Sequence, residues 1–278
     1  MVNEEYRVDG KVAIVTGAGR GIGKAIALTL AEAGADITVV ARTKEQIEQT
    51  AEDIRKLGRK ALAIPADVSQ EDQVKKVVEQ TVSRYGKIDI LVNNAGIAVS
   101  KPVVLIPGAE FAGFTGKVSE QDEQTTLQEW RQVIDTNLTG AFIFAQAVGP
   151  YMMKQKKGKV VITSSTSADE GTPLVSAYCV SKAGLSSFTR CLASEWAPFN
   201  ICVNAIAPGW TNTEPVAYFM RNTEMKESVL KTIPSGRLAE PREVALLALF
   251  LASEASNHLT GQIITLDGGT MGRGPDVY

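Results

Sequence analysis

A tyrosine and a lysine stand one helical turn apart in an apolar segment. Tyr178 and Lys182 are separated by four positions, which places them on the same face of a helix. A phenol has a pKa of about 10, so it exchanges protons poorly near neutral pH until a cation stabilises the phenolate. At about 4 Å an ammonium contributes about 4 kcal/mol, or about three pKa units, which predicts a pKa near 7 for Tyr178.

This pair alone is weak evidence, because tyrosine and lysine often share a solvated helix face by chance. A serine strengthens it. Ser165 directly follows a Val/Ile-rich strand predicted at 159–164, so its hydroxyl is expected at the carboxyl edge of a sheet. There it would donate a hydrogen bond to a substrate oxygen and orient Tyr178.

A glycine loop follows the first predicted strand, at 12–16. Gly17, Gly21 and Gly23 run into a helix, whose N-terminus offers free N–H groups and a partial positive charge to a pyrophosphate. The spacing is not G-x-G-x-x-G, because Ile22 occupies the third glycine position, and it is not a Walker loop. A strand, this loop and a helix in succession predict a dinucleotide site.

The end of the second predicted strand bears on the choice of dinucleotide. An NAD site normally carries a carboxylate there, whereas this chain has Arg42 and no acid before Glu45. Arg42, together with Arg20 of the glycine loop, would neutralise a 2'-phosphate. The sequence therefore favours NADP(H) over NAD(H); in the alternative reading, Arg42 is an exposed residue with no ligand.

The elements that must position these residues alternate between strands and helices. Val/Ile-rich runs predict strands at 12–16, 37–41, 61–65, 88–93, 159–164, 201–205 and 262–266. Amphipathic segments predict helices at 21–33, 44–57, 70–85, 127–154 and 177–197. This order predicts an α/β fold of the doubly wound Rossmann type, with seven parallel strands and helices on both faces of one domain.

Local signals mark the helix ends. Hydroxyl residues at capping-box or near-capping-box spacing predict N-caps at Thr43, Ser69 and Thr126. Glycines predict left-handed helix ends at Gly34, Gly58 and Gly86.

Composition excludes several classes of protein. The 278 residues are 44% hydrophobic and carry a net charge of -2, which argues against nucleic-acid binding and describes a soluble globular chain with no membrane span. A single histidine, His258, leaves little room for a histidine triad or a histidine-built metal site, and no metal site is expected. The three cysteines lack C-x-x-C spacing, which fits a reducing, cytoplasmic location.

One interval, 97–125, is too long for an ordinary connection in an α/β fold. It contains Pro102, Pro107, Gly108, Gly113 and Gly116, and it leaves the carboxyl end of the fourth predicted strand. Open parallel sheets bind ligands at that edge. We expect a substrate-facing lid; the alternative is a mobile surface insertion with Phe111 and Phe114 tucked against the body.

Taken together, the motifs resemble the short-chain dehydrogenase/reductase family in its compact single-domain branch. The resemblance spans nearly the whole chain. It includes the glycine loop, Asp67-Val68, Asn93-Asn94-Ala95-Gly96, Asn137, Ser165, Tyr178-x-x-x-Lys182, Pro208-Gly209 and Asp267-Gly268-Gly269. The resemblance implies an oxidoreductase that transfers a hydride between NADP(H) and a ketone or secondary alcohol.

The resemblance also implies individual roles. Asn137, Ser165, Tyr178 and Lys182 are the expected catalytic residues, with Asn137 supporting a water chain from Lys182 to solvent. Lys182 also binds the nicotinamide ribose. The expected cofactor contacts are Gly17, Arg20, Gly21, Ile22, Gly23, Arg42, Asp67, Val68, Asn94, Ala95, Gly96, Tyr178, Lys182, Pro208, Gly209 and Thr213. Within this set Asp67 contacts the adenine, and Thr213, rather than Thr211, holds the nicotinamide carboxamide or a nearby phosphate.

The substrate is less defined. The pattern is similar to 3-oxoacyl carrier-protein reductases and to sugar-acid and cyclic-alcohol dehydrogenases. A small carbonyl or alcohol is the expected partner, and 214–235 is the expected substrate lid, although its apolar residues would serve equally as core. The long helices at 127–154 and 177–197 imply a homotetramer, with a dimer left open. The alternatives are an NAD-dependent alcohol or sugar-acid dehydrogenase and a non-catalytic nucleotide-binding scaffold or redox sensor.

Overall fold

The structure is a computed structural model and describes residues 2–109, 119 and 122–272. Phe111 and Phe114, for which the sequence suggested packing against the body, lie outside the described residues. Within the described ranges no helix combines the length and the apolar character needed to cross a membrane.

Seven strands and ten helices form the described chain. The strands are β1 Val12–Thr16, β2 Asp36–Ala41, β3 Ala61–Pro65, β4 Ile90–Asn93, β5 Gly158–Thr163, β6 Ile201–Pro208 and β7 Ile263–Leu266. The helices are α1 Val2–Glu5, α2 Gly21–Glu32, α3 Lys44–Lys56, α4 Glu71–Tyr85, α5 Leu127–Ile134, α6 Gly140–Gln155, α7 Ser176–Trp196, α8 Glu214–Phe219, α9 Thr223–Thr232 and α10 Pro241–Ala252. Strand β6 runs beyond its predicted end at 205.

All seven strands pair in parallel in the order β3-β2-β1-β4-β5-β6-β7, which confirms the predicted fold class. The chain builds outward from β1 to β3 and then returns to the other side of β1 with β4. The crevice between the carboxyl ends of β1 and β4 is therefore the point at which the winding reverses, and such crevices hold ligands in open parallel sheets.

The two faces of the sheet carry separate apolar cores. On one face α4, α6 and α7 pack through residues that include Val77, Phe144 and Leu185. On the other face α2, α3 and α10 pack through residues that include Ile26 and Ile54. Because strands buried on both faces need apolar side chains at successive positions, the Val/Ile runs of the sequence reflect this three-layer arrangement.

The predicted helix ends are right in part. Thr126 caps α5 in a reciprocal capping box with Glu129, and Gly86 ends α4 in a left-handed conformation, both as predicted. Gly34 and Gly58 also have positive φ, at 108° and 77°, directly after the capping residues of α2 and α3. Thr43 is the residue before α3, but its side chain makes no cap hydrogen bond, so the predicted hydroxyl cap at Thr43 is wrong.

The predicted cap at Ser69 is also wrong, because Gln70 precedes α4 and Ser69 turns back along the chain. Its backbone N–H and its hydroxyl both donate to Asp67 Oδ1, at 3.0 and 2.8 Å. The hydroxyl therefore holds a carboxylate of the preceding loop instead of a helix end.

The helix predicted over 127–154 is interrupted. Residues Asp135–Thr139 form a π-helical turn between α5 and α6, and Asn137 lies inside it. A π turn inserts one residue into the helical repeat and shifts the side chains that follow, and such turns are frequent at functional sites. The interruption therefore singles out Asn137 within an otherwise regular helical segment.

At Gly23, α2 packs tightly against the glycine loop and the chain after β4. A Cβ on Gly23 would lie 2.3 Å from the Gly17 carbonyl oxygen and 2.4 Å from Asn94 Nδ2. We predict that Gly23→Ala lowers the free energy of unfolding by about 2 kcal/mol or more, because backbone must move to admit the methyl group. Thermal or urea unfolding measures the loss.

Gly171→Ala is the matched control, because Gly171 has open space around it and no positive φ. It is expected to change stability by less than about 0.5 kcal/mol. Equal stability of the two variants would contradict the close approach at Gly23.

Candidate active site

Ser165 and Tyr178 meet at the carboxyl edge of the sheet. Strand β5 ends at Thr163, so Ser165 emerges at this edge, and Tyr178 lies in the first turn of α7. The Ser165 side chain lies close enough to the Tyr178 phenol to lower its pKa, and the Ser165 hydroxyl accepts from the backbone N–H of Ser167 at 3.1 Å. The structure therefore brings together the serine and tyrosine that the sequence paired.

Lys182 lies beneath Tyr178 and is buried, with 3% of its surface exposed. Its Nζ donates to the carbonyl oxygen of Thr163 at 2.7 Å and lies 5.5 Å from the centre of the Tyr178 ring. No ion pair joins Lys182 to a carboxylate among the described residues. The end of β5 therefore fixes the ammonium through a neutral backbone dipole.

Burial controls the protonation of this pair. Loss of solvent lowers the pKa of Lys182 to about 8, because the interior disfavours the ammonium. Burial raises the pKa of Tyr178 above its ordinary value, and the hydrogen bond from Ser165 lowers it only in part. The expected fall of the Tyr178 pKa to near 7 is therefore wrong for the protein by itself, because desolvation of the phenol outweighs the lowering by Ser165.

The side chain of Asn137, within the π turn, makes three hydrogen bonds. Its Oδ1 accepts from the N–H of Ile97 at 2.8 Å, and its Nδ2 donates to the Ile97 carbonyl at 2.9 Å and to Ser181 Oγ at 2.9 Å. A Cβ on Gly96 would lie 3.4 Å from Asn137 Oδ1 and 3.6 Å from Lys182 Nζ. Asn137 thus joins the chain after β4 to α7, within reach of Lys182.

Two serines that the sequence did not single out hold α7 in place. Ser181 accepts from Asn137 and donates to the carbonyl of Tyr178 at 2.7 Å. Ser164 donates to the carbonyl of Lys182 at 3.0 Å and also shares a hydrogen bond with Ser186 at 2.8 Å. The spacing of 178, 181 and 182 on one helix could have indicated Ser181.

The glycine loop forms a narrow cradle at the reversal point of the sheet. Gly17 and Gly21 have positive φ, at 65° and 55°. A Cβ on Gly17 would lie 2.9 Å from the Cα of Ala95, and Arg20, which precedes α2, supplies no side-chain cap. The helix start therefore keeps its N–H groups for a ligand, and the cradle fits the pyrophosphate of a dinucleotide.

The segment 94–96 braces this cradle. The N–H groups of Asn94 and Ala95 donate to Thr16 Oγ1 at 2.9 and 3.0 Å, and Asn94 Nδ2 donates to the Thr16 carbonyl at 3.0 Å. Thr163 Oγ1 donates to Asn94 Oδ1 at 3.3 Å. Asn94 thus ties together the carboxyl ends of β1, β4 and β5.

The predicted adenosine contacts lie on the other side of the glycine loop. Arg42 is exposed at the end of β2, and within the described chain its side chain makes no hydrogen bond or ion pair. Val68 is buried beneath Gly140, and Asp67 is held by Ser69. Arg42 is therefore available to a ligand phosphate.

Arg20 is placed differently from the expectation. Its guanidinium pairs with Glu214 at 2.9 Å, at the start of α8, although both side chains are largely exposed. The pair joins the glycine loop to the predicted lid. Arg20 is thus already partnered, which leaves Arg42 as the stronger candidate for a 2'-phosphate.

Strand β6 ends at Pro208, and Gly209 packs against Asp267, which follows β7. Thr213 lies beside the glycine loop, with its Cγ2 3.4 Å from where a Cβ of Gly21 would stand. Thr211 is buried and donates to the Gly209 carbonyl at 3.1 Å. Of the two threonines, Thr213 is the one that lies beside the glycine loop.

The predicted lid 214–235 is only partly packed into the core. In 214–235 Tyr218 is 67% exposed, and Val229 is the one residue of α9 that is buried. The alternative of ordinary core packing therefore fails for Tyr218. The base of 97–125 is fixed by Lys101, whose Nζ pairs with Glu123 at 2.7 Å and Glu129 at 2.6 Å.

Within the described ranges no group of His, Cys, Asp and Glu is arranged to hold a metal ion. The residues that converge on the cleft are instead hydroxyls, an amide and a lysine. This set is suited to proton transfer beside a bound organic cofactor.

Comparisons with known proteins agree with this arrangement. The chain is 39% identical over 263 residues to the 3-oxoacyl-[acyl-carrier-protein] reductase FabG of Thermotoga maritima, covering 95% of this chain and 98% of that protein. It is 36% identical to the 2-dehydro-3-deoxy-D-gluconate 5-dehydrogenase of Pseudoalteromonas atlantica, covering 97% and 99%.

A solved structure matches equally well. A gluconate 5-dehydrogenase from Burkholderia cenocepacia, in complex with NADP and tartrate, superposes with a TM-score of 0.88 at 31% identity, covering 99% of this chain and 100% of that one. A family model described as enoyl-(acyl carrier protein) reductase matches residues 17–271. The chain belongs to the short-chain dehydrogenase/reductase family, a family of oxidoreductases.

Proposed function

We propose that the protein reduces a ketone, or oxidises the corresponding secondary alcohol, with NADP(H) as cofactor and Tyr178 as the acid and base. The observation that carries this proposal is the convergence of Ser165, Tyr178 and Lys182 at the sheet edge beside the glycine cradle. A non-catalytic scaffold would have no need to bury an unpaired lysine beneath a tyrosine.

Each of the four side chains has a separate role in carbonyl reduction. A bound nicotinamide dinucleotide supplies the hydride. Ser165 donates a hydrogen bond to the substrate oxygen, and Tyr178 transfers its hydroxyl proton to that oxygen. Lys182 stabilises the resulting phenolate and binds the nicotinamide ribose, while Asn137 supports the water chain that returns a proton to the pair. Alcohol oxidation follows the same path in reverse.

The position of the glycine cradle indicates which residues would contact each part of the cofactor. Gly17, Gly21, Ile22 and Gly23 would bind the pyrophosphate at the start of α2, and Asn94, Ala95 and Gly96 would line the nucleoside. Pro208, Gly209 and Thr213 would border the nicotinamide. Asp67 and Val68 would border the adenine, and Arg42 would bind a 2'-phosphate.

An NAD-dependent sugar-acid or alcohol dehydrogenase is the second candidate. The relative named as a 2-dehydro-3-deoxy-D-gluconate 5-dehydrogenase favours a sugar-derived substrate. The exposed Arg42 and the absence of a carboxylate between Ala41 and Glu45 favour NADP(H) over NAD(H).

The insertion 97–125 and the segment 214–235 are the proposed lids. The backbone N–H of Lys101 donates to the carbonyl of Leu174 at 2.8 Å, in the loop between Ser165 and Tyr178. The insertion therefore starts from the wall of the active site. Val103 and Val104, which follow Lys101, are 64% and 60% exposed and offer apolar surface there.

We also propose one catalytic domain that assembles as a homotetramer in the cytoplasm. Phe142 on α6 and Val180 on α7 are 48% and 49% exposed, which suits a helix-to-helix subunit contact. Leu246 on α10, on the other face of the sheet, is 49% exposed and offers a second contact. All three cysteines are free thiols, as a reducing compartment requires.

Tyr178→Phe tests the central role. Removing the hydroxyl is expected to reduce kcat for carbonyl reduction by at least about a hundredfold, because the acid is lost while the ring keeps its packing. The Kd for NADPH, measured by fluorescence, is expected to stay within about twofold. Tyr151→Phe on α6 is the control and should retain full activity; retained turnover in Tyr178→Phe would contradict the assignment.

The low pKa of Lys182 predicts a pH profile. Because the ammonium is lost as pH rises through about 8, kcat/KM for carbonyl reduction is expected to fall above that pH. Initial rates at subsaturating substrate between pH 6 and 10 measure the profile. In Lys182→Arg, whose guanidinium stays charged, the fall should move to higher pH; an unchanged fall would assign it to another group.

Arg42→Ala tests the cofactor preference. The native enzyme is expected to favour NADPH, and the variant should lose about tenfold or more in kcat/KM for NADPH, because a charge-assisted bond to the 2'-phosphate is removed. The value for NADH should change by less than about twofold. Lys76→Ala, an exposed cation on α4, is the control; comparable native efficiency with NADH would contradict the proposal.

A further inference from the structure

Glu170 is fixed close to Ser165 by the turn that follows β5. The backbone N–H of Ala168 donates to the Ser165 carbonyl at 3.0 Å, and that of Glu170 donates to the Thr166 carbonyl at 3.1 Å. The Glu170 carbonyl in turn accepts from Thr172 at 3.1 Å. The residue therefore projects from the wall that runs between Ser165 and Tyr178.

The carboxyl of Glu170 is half-buried and has no cationic partner. Within the described chain it makes no side-chain hydrogen bond or ion pair. Burial and the neighbouring charges of Asp267 and Asp169 raise its pKa above the ordinary value. By contrast, cations paired with Glu129 and Glu243 lower the pKa of each of those carboxyls to about 2.

Glu170 follows β5, on the half of the sheet edge that carries Ser165 and Asp267. Asp267, whose charge helps to raise the pKa of Glu170, follows β7. A Cβ on Gly209, after β6, would lie 2.9 Å from the Cβ of Asp267. These residues occupy the carboxyl ends of β5, β6 and β7. Arg42 and Asp67 lie at the opposite half of the sheet, at the ends of β2 and β3.

Lys101, whose backbone bonds the active-site wall, already has carboxylate partners. Lys101, which bonds to Leu174 on that wall, forms ion pairs with Glu123 and Glu129. An unpaired carboxyl at this position opposes a negatively charged group and accepts a hydrogen bond from a donor.

We propose that Glu170 is a specificity-determining residue that binds a hydrogen-bond donor of the substrate, such as a hydroxyl, and disfavours substrates with a carboxylate at that end. This inference rests on the proposed function, because it takes the carbonyl to react between Ser165 and Tyr178. It assigns the protein a neutral hydroxy-ketone rather than a sugar acid or an acidic carrier.

Paired substrates test the inference. D-fructose and D-fructuronate share a carbon skeleton and differ in a terminal hydroxymethyl or carboxylate group, as do 4-(hydroxymethyl)cyclohexanone and 4-oxocyclohexanecarboxylate. The ratio of kcat/KM for the neutral member to that for the acidic member is measured with NADPH. Native protein should favour the neutral member of at least one pair, and Glu170→Gln should reduce that ratio about tenfold through KM of the acid.

Two variants control for charge and for fold. Asp169→Asn removes an equal charge from the same turn, at an exposed position, and should change the ratio by less than about twofold. Glu170→Asp keeps the charge and should keep the preference. The KM for NADPH should be unchanged in all variants.

Ligand binding separates this inference from the proposed function. If no compound turns over, the proposed function fails. The binding preference of the protein is then measured as the shift in Tm that each neutral or acidic compound causes with NADPH present. A native protein with no preference for a neutral member in either measurement overturns the assignment of Glu170, as does an unchanged ratio in Glu170→Gln.

Discussion

The active site depends on one buried cation without a counter-ion. Lys182 is almost fully buried, and its ammonium is held by the Thr163 carbonyl rather than by a carboxylate. A carboxylate partner would neutralise the charge and hold it away from Tyr178. The Thr163 carbonyl fixes the position of the ammonium but carries only a partial negative charge. The ammonium can therefore still stabilise a phenolate at Tyr178 by electrostatic attraction. The lowered pKa of Lys182 is the consequence of this arrangement.

Keeping such a cation in place requires support from several elements. The end of β5 supplies the acceptor, and α7 carries the lysine. Ser164, which follows β5, donates to the backbone of α7, and Ser181 bonds the Tyr178 carbonyl within α7. Asn137 then joins α7 to the chain after β4. The π turn places this amide, since one extra residue in the helix shifts its direction.

Much of this site could be predicted from sequence because its signals are local. The spacing of Tyr178 and Lys182, the glycines after β1 and the Val/Ile runs reflect chain geometry within a few residues. The π turn and the pKa of Tyr178 could not be predicted, because both depend on packing between distant segments. Thr43 occupies the N-cap position of α3 with extended backbone, but its side chain makes no cap hydrogen bond; sequence spacing places the residue and does not specify the direction of its side chain.

The two halves of the sheet edge present different groups. The half formed by β1 to β4 presents the helix start and Arg42, whereas the half formed by β5 to β7 presents Glu170 and Asp267. The ion pair between Arg20 and Glu214 connects the glycine loop to α8 across this division. Because both side chains are largely exposed, such a pair contributes about 0 to 1 kcal/mol, too little to fix α8 against the glycine loop. The segment 214–235, which we propose as a lid, is therefore not held against the glycine loop by this contact alone.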